Sequence, residues 1–420
     1  MINQKTRINR FLVVIGIALM FFSSACLWNE GSLSKFILCS MIVVCIALIV
    51  ATIKETSFNA ILNNKYIQWV VLIYGIFELY GLFFLRAGQF NWDFILVSGI
   101  LQISVTIMLC SLDNLDEVIN VYCKSCFIAI ILVCAYMINK GSIRLSNITF
   151  GASYGLELSG NRNTVATSIG IMLIPVVYYA LQCATKWQFM YYSVSIVAAG
   201  CMLLTGSKKG IIVILLVAIM MYLSFRGGFK YVFFPIAIFL GIYAIFNIPL
   251  LYNVVGYRIR DMFASIGIGE AVTHAQSTTI RNRYIIMGLK SMWHHPLFGG
   301  GMNYFQFIND AKYYSHNNYV EMLNNFGIIG TAIYYIPAIK CIPLLIAKLK
   351  QSHTLNNRKA YSFFIVYVSS KLALDYAMVS YSSMCIFSIQ FLLIFEMYRR
   401  LLNESETNTS DPSFLGNRWR

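Results

Sequence analysis

Apolar runs long enough to cross a bilayer recur from one end of this chain to the other, and a fold in water has no way to hide so many. A membrane-spanning helix needs about 20 consecutive, predominantly apolar residues. Runs of this kind occupy 11–28, 36–53, 67–85, 92–112, 118–138, 163–184, 187–206, 210–225, 231–248, 326–347, 361–379 and 382–398. Composition removes the soluble alternative, because 58% of the residues are hydrophobic, 12% are charged and the mean hydropathy is +0.67. A water-soluble domain of this make-up would expose very large apolar patches. In lipid every backbone N–H and C=O needs a partner within the protein, and long uninterrupted runs satisfy this as helices.

The expectation is therefore an all-α, polytopic membrane helical bundle of about 12 transmembrane helices. The runs place nine spans in 1–248, a large extracytoplasmic helical loop at 249–325 before the tenth span, three spans in 326–402, and a polar, disordered cytoplasmic tail at 403–420. The first run follows MINQKTRINR and resembles a signal peptide in charge and length, but the next begins at Phe36 with no cleavage site and soluble segment between them. A retained first span is the reading.

A net charge of +15 would suggest nucleic acid in a soluble protein. Here the cations sit at the ends of apolar runs, where they meet headgroups and set orientation, so nucleic acid is excluded as a partner and membrane lipid takes its place. Lys5, Arg7, Arg10, Lys54, Lys65, Lys186, Arg226, Lys230, Lys348, Lys350, Arg358, Lys359, Arg399 and Arg400 all fall on one side, which the positive-inside rule makes cytoplasmic, with both termini. The exceptions are more informative. Arg86, Arg144, Arg162, Lys208, Lys209, Arg258, Arg260, Arg281 and Arg283 lie on the other side, and a long translocated loop accounts for 258–283 but not for the tight Ser207-Lys208-Lys209 turn. An anionic ligand at the outer face supplies the reason.

The polar stretch 281–330 concentrates Arg, His, Asn and aromatic residues and is expected to lie outside the lipid. Pro296-Leu297-Phe298 followed by Gly299, Gly300 and Gly301 signals a chain reversal. Ser315 is placed to cap a short helix beginning near His316, and Tyr319, Val320, Leu323 and Phe326 give that helix an apolar side. Such a helix would lie flat on the bilayer surface with His316, Asn317 and Asn324 turned toward a cavity. Gly327 and Gly330 then admit close packing where the next span starts.

His316-Asn317 followed at about nine residues by Gly327-Ile328-Ile329-Gly330 resembles the signature of the O-antigen ligase and O-antigen or capsule polymerase family. Two further blocks agree in order and side: Arg281 ahead of His295-Pro296-Leu297-Phe298-Gly299, and Thr205-Gly206-Ser207-Lys208-Lys209-Gly210 after a span. The resemblance covers residues 163–330 and elsewhere only the topology. It implies a membrane glycosyltransferase of the GT-C type in a bacterial cytoplasmic (inner) membrane, with an extracytoplasmic active site. The implied donor and acceptor are glycans on undecaprenyl diphosphate, and lipid diphosphate is released. Within it Arg281 matches the position that grips the diphosphate and His316 the histidine that activates the acceptor. Lys208 stands where many members carry Arg, which leaves a point charge in place of a fork.

The residues read by themselves agree with that chemistry. A leaving diphosphate builds negative charge, and fixed cations in a water-poor site stabilise it. Arg281 and Lys208, beside Lys209 and with Arg283 or Arg162 in support, are the candidates. His316 has the intrinsic pKa for proton acceptance, Glu321 is the substitute base or else a solvated helix carboxylate, and Asn317, Gly327 and Gly330 complete the motif. The outer loops carry no Asp-rich metal motif, so neither metal nor cofactor is expected. Cys123 and Cys126 form a Cys-x-x-Cys pair inside a span and read as packing. Tyr304, Phe305, Tyr313, Tyr314 and Tyr319 read equally as sugar-stacking rings or interface anchors.

Two rival readings stand beside the polymerase. One is a ligase that passes the same glycan to a lipid A core in lipopolysaccharide assembly. The other is a secondary transporter or lipid-linked oligosaccharide flippase, which would use Glu78, Lys124 or Glu396 as a relay, whereas Lys371 and Asp375, four apart on a helix, are expected to pair inside the bundle. No internal repeat supports transport. A chain-length regulator and a flippase are plausible partners of a polymerase without a visible docking motif.

Overall fold

The computed structural model describes residues 2–27, 63, 65, 68–69, 115–139, 162–183, 185–225, 227–264, 268–270, 276–301, 303–309, 313–380 and 385–407. Among them the regular structure is helical throughout, as hydropathy predicts: α1 (Ile2–Phe22), α2 (Leu115–Asn139), α3 (Arg162–Gln182), α4 (Thr185–Leu204), α5 (Lys208–Ser224), α6 (Phe229–Asn247), α7 (Tyr257–Ala264), α8 (Gln276–Ser291), α9 (Tyr304–Ile308), α10 (Asn318–Gln351), α11 (Leu355–Asp375) and α12 (Cys385–Thr407). Among the described residues four helical segments are long and apolar enough to cross a membrane: Glu117–Asn139, Asn163–Gln182, Lys186–Leu204 and Asn318–Gln351. A fifth span is formed if Tyr231–Asn247 and Pro249–Asp261, bent by 82° at their junction, are taken together. The expected runs at 36–53 and 92–112 and nearly all of 67–85 lie outside the described residues, as do Glu78, Arg86 and Arg144. The figure of about 12 spans thus rests on the length rule applied to the sequence. At the C-terminal end α12 continues to Thr407, past the point where a disordered tail was expected, and the remainder is not described.

Helix α3 is the hub, almost wholly buried and packed on α2, α4, α5 and α11. Close approach is allowed by Gly170, whose added Cβ would come within 3.0 Å of the Val213 side chain on α5. The core is aliphatic and aromatic, with Tyr178 stacked on Phe363 at 4.4 Å and Tyr122 hydrogen-bonded to Tyr367 through their hydroxyls at 2.5 Å. Cys123 and Cys126 are both fully buried free thiols within it.

Two cations from the first turn of α11 close one end of the bundle. Arg358 Nε donates to the Leu223 carbonyl at 2.7 Å and Lys359 Nζ to the Leu181 carbonyl, so positive charge meets the unsatisfied carbonyls that end α5 and α3. The opposite end of these same two helices presents Asn163, Lys208 and Lys209.

Near that opposite end lies a buried polar cluster. Lys371 and Asp375 pair at 2.5 Å with no exposure, the i, i+4 contact their spacing predicts. Ser380 accepts from Lys371 at 2.7 Å and donates to Asp375 at 2.6 Å; Tyr335 donates to Asp375 at 2.8 Å. Asn318 Nδ2 donates to Tyr335 at 2.7 Å and its Oδ1 accepts from the Ser380 backbone at 2.8 Å. Each charge is paired and hydrogen-bonded, the condition on which buried ions are tolerated. Of the charges weighed as relay groups, Glu396 is held by Arg399 and Arg400 on its own helix, and Lys124 is exposed.

Candidate active site

Helix α10 is broken at Gly327, where φ is +65° and ψ −171°. A straight helix would hold residues 318 and 335 about 25 Å apart. Instead the Asn318 amide reaches the Tyr335 hydroxyl, and the Tyr319 and Tyr335 rings stack at 4.7 Å. The arm 318–326 therefore folds back along the arm that follows it. The expected helix lying flat on the bilayer is corrected accordingly: the glycine turns it inward and the buried cluster holds its first residue.

The turn is clamped from outside by 296–301. Gly300 and Gly301 N–H groups donate to the Asn324 and Asn325 carbonyls at 2.8 and 2.9 Å, and Ile328 and Ile329 N–H groups to the Pro296 and Leu297 carbonyls at 2.8 and 3.1 Å. Two sequence blocks recognised separately are thus one backbone clasp. Its closeness excludes side chains, since a Cβ on Gly327 would stand 2.3 Å from the Leu297 backbone.

The strap before α10 sets His316. Asn317, not Ser315, is the N-cap, accepting the Val320 N–H at 3.1 Å. Ser315 instead ties the strap together: its N–H donates to Glu321 Oε2 at 2.8 Å and its hydroxyl to the Asn317 carbonyl at 2.8 Å. Glu321 is 1% exposed, so the solvated carboxylate of the sequence reading is replaced by a buried brace. Asn324 is likewise structural rather than cavity-facing, bonded to Ser291 and, at 2.9 Å, to the Gly288 carbonyl. These ties hold His316 at φ +59°, a left-handed conformation rare outside glycine. Its imidazole lies against Tyr314 at 4.3 Å and parallel to Tyr284 at 6.3 Å.

Two further segments bring cations to this ring. Tyr284 and Arg281 share a face of α8 at a spacing of three, and α8 packs closely on α10 because residue 288 is Gly. The other segment is the turn between α4 and α5. Gly206 reverses the chain at φ +64°, Arg258 Nη1 donates to its carbonyl at 2.7 Å, and the Ser207 hydroxyl donates to Asn163 at 2.8 Å. Arg258 is thereby a brace for the turn. Lys208 and Lys209 project from it ahead of the apolar run 210–225, Lys208 half-buried and Lys209 9% exposed.

The electrostatics show how closely these groups converge. Burial first, then the fields of Arg281 and Lys209, hold His316 down at about 4. Burial and then Arg281 bring Lys209 down to about 7. Lys208 is lowered by burial, with Asp261 opposing and Arg281 and Arg258 adding to the fall. Burial raises the Tyr314 phenol while Arg281 opposes. One guanidinium thus acts on Lys208, Lys209, Tyr314 and His316. Among the described residues, none of Arg281, Lys208 and Lys209 has a hydrogen-bonded or ion-paired carboxylate.

Of the residues expected here, Arg281, Lys208, Lys209 and His316 come together, with Asn317, Glu321 and Gly327 fixing the strap and its turn. Gly330 is buried in the arm beyond the turn. Arg283 does not join them: it is exposed, and two residues along a helix rotate it roughly 200° from Arg281. The Arg162 side chain lies outside the described residues. Sequence reasoning missed Tyr284, Asp261 and the bracing role of Arg258; only the i, i+3 spacing of Tyr284 from Arg281 offered a signal.

Fold and site together define a membrane protein with a part-buried cationic cluster beside a histidine, a cluster that has no bonded carboxylate among the described residues. Residues 193–335, about a third of the chain, match the family model described as O-Antigen ligase, and this match supports placing the chain in the O-antigen ligase and polymerase family. The matched segment contains Lys208, Lys209, Arg281, His316 and Gly327. The chain has no match among the curated proteins compared with it.

Proposed function

We propose that the protein is a polysaccharide polymerase, for O-antigen or capsule, that joins undecaprenyl-diphosphate-linked oligosaccharide repeat units at the outer face of a bacterial cytoplasmic membrane. The observation that carries this reading is that Arg281 and Lys209 both act on the His316 imidazole while Lys208 lies in the field of the same guanidinium, and none of the three cations has a bonded carboxylate among the described residues. Three cations in a partly dry site, with only the field of Asp261 on Lys208 set against them, are costly without a further anion and match a diphosphate with one.

In the proposed step the acceptor hydroxyl oxygen attacks the anomeric carbon of the donor glycan, and the bond from that carbon to the diphosphate oxygen breaks. The hydroxyl proton passes to His316, which is neutral at pH 7 and so able to accept it. Arg281, Lys208 and Lys209 take up the charge of the departing lipid diphosphate. When the donor binds, its phosphates offset the positive field on the imidazole and raise its basicity for the transfer. The segment 249–325 with the turn at 205–209 forms the catalytic region in this scheme.

The description of the matching family favours a second reading, transfer of the same glycan to a lipid A core. Purified protein in vesicles, supplied with lipid-linked oligosaccharide alone, separates the two. Longer lipid-linked chains and free undecaprenyl diphosphate are the expected products; product formed only after lipid A core is added establishes the ligase. Movement of the oligosaccharide across the vesicle without a new glycosidic bond would refute both. Arg281→Ala and His316→Ala are each expected to abolish elongation while the protein accumulates normally, and wild-type activity in both would remove the site.

A further inference from the structure

The clasp over the site carries an apolar edge turned away from the protein. Trp293, Leu297 and Phe298 are 71%, 56% and 55% exposed, and Ile328 and Ile329 are 47% and 39% exposed. Backbone bonds bring most of this edge to one height, because the Pro296 and Leu297 carbonyls accept from Ile328 and Ile329, while Met292–His294 packs on the same helix. The face continues along α10 through Ile336 and Ile339, 41% and 57% exposed, at the spacing of a single helical stripe.

The height follows from helix length. Lys348 and Lys350 mark one boundary of the span containing α10. From Lys348 back to Ile329 is about 29 Å of helix, against a hydrocarbon core of about 30 Å. Ile328 and Ile329 thus reach the far border of the hydrocarbon, and Leu297 and Phe298 share that level. Tyr335, where the folded-back arm brings Asn318, lies about 9 Å further in. The site is sunk below its own rim.

We propose that the loop tip formed by Trp293, Leu297 and Phe298, with Ile328 and Ile329, is a lipid-docking surface immersed in the interfacial layer of the bilayer. On this proposal part of the stretch 281–330, expected from the sequence to stand clear of lipid, meets it. The occupant is the bilayer because the edge is continuous with the exposed stripe of a membrane-spanning helix and lies at its end. Trp is the side chain favoured at that depth, with an apolar body and a polar N–H. The inference rests on α10 as a span and not on glycosyl transfer, so a protein inactive in that assay leaves it standing.

The test uses the full chain in vesicles of phosphatidylcholine and phosphatidylglycerol. The emission of wild type minus that of Trp293→Phe isolates Trp293, and Phe298→Trp in the Trp293→Phe background moves the probe to the loop tip. Both side chains are largely exposed, so neither exchange disturbs the packed core. Expected is quenching of both signals by lipids brominated near the headgroup, with little quenching by iodide present on both sides of the vesicle. Quenching by iodide and not by bromolipid would place the loop in water and overturn the proposal. A signal shielded from both quenchers would mean that protein, such as a second copy of the chain, covers the edge, and would overturn it equally.

Discussion

Replacing Lys209 by methionine is expected to stabilise the empty protein while disabling it. The ammonium is 9% exposed, and burial and Arg281 lower it from 10.5 to about 7. At about 1.36 kcal/mol per pH unit, this corresponds to roughly 5 kcal/mol of charge-burial cost as an upper bound. Relaxation and water penetration reduce such penalties in real proteins, and about 2 kcal/mol is the working figure. Methionine keeps an unbranched chain and removes the charge. The pH dependence follows from the two protonation states: an unfolded lysine keeps its proton to about 10.5 and the folded one loses it near 7. Between those values the unfolded state holds more protons, so stability rises with pH, and the penalty becomes full as pH falls below about 7. The assay is the apparent unfolding temperature of detergent-solubilised protein at one heating rate, since membrane proteins often unfold irreversibly. Lys209→Met should unfold above wild type at pH 7, with the gap closing toward pH 10.5. Pyrophosphate should raise the unfolding temperature of wild type and not of the variant. A variant less stable than wild type at pH 7, or a gap unchanged across that range, would refute the reasoning.

Other substitutions probe the remaining parts. Lys208→Arg should retain most activity, and Lys208→Ala should raise KM for the lipid-linked donor roughly tenfold to a hundredfold, the worth of one charge-assisted contact; equal outcomes would show that Lys208 touches no phosphate. Gly327→Ala forces a side chain onto φ +65° and onto the Leu297 backbone, and should cost more than about 3 kcal/mol and most of the folded protein. Gly241→Ala, where the new methyl meets nothing within 4 Å, is its silent control. Asp375→Ala strands the Lys371 charge and should destabilise by about 3–5 kcal/mol, with the Lys371→Met, Asp375→Leu double variant closer to wild type. In pH profiles, the acid limb of kcat/KM should fall near 4, the value for His316 in the empty site, and the acid limb of kcat higher, because bound diphosphate offsets the cations. An acid limb of kcat/KM at the ordinary histidine value would show that neither burial nor the fields of Arg281 and Lys209 act on the ring.

Features carried by neighbouring residues were legible in the sequence. Long apolar runs force helices because lipid offers the backbone no partner. A spacing of four predicts the Lys371–Asp375 pair, and two lysines in a turn too short to explain them topologically point to an anion. The identity of the blocks around Lys208, Arg281, His316 and Gly327 was likewise available, and the match over residues 193–335 agrees with it.

What the tertiary structure alone decided depends on segments far apart in sequence. Whether Ser315 or Asn317 caps α10 turns on Glu321 reaching back for the Ser315 N–H, and the reversal at Gly327 turns on the Pro296–Gly301 backbone lying against it. The resemblance put Arg281 ahead of Arg283, but that Arg283 is exposed and turned off the site is settled only by the packing of α8 on α10. Hydropathy assigned 281–330 to water as a unit, whereas the clasp bonds the Pro296 and Leu297 carbonyls to Ile328 and Ile329, where the apolar arm of α10 begins. The physical reason is the same in each case: residue type and spacing fix what a segment prefers locally. Burial, field and depth belong to the neighbours that folding supplies.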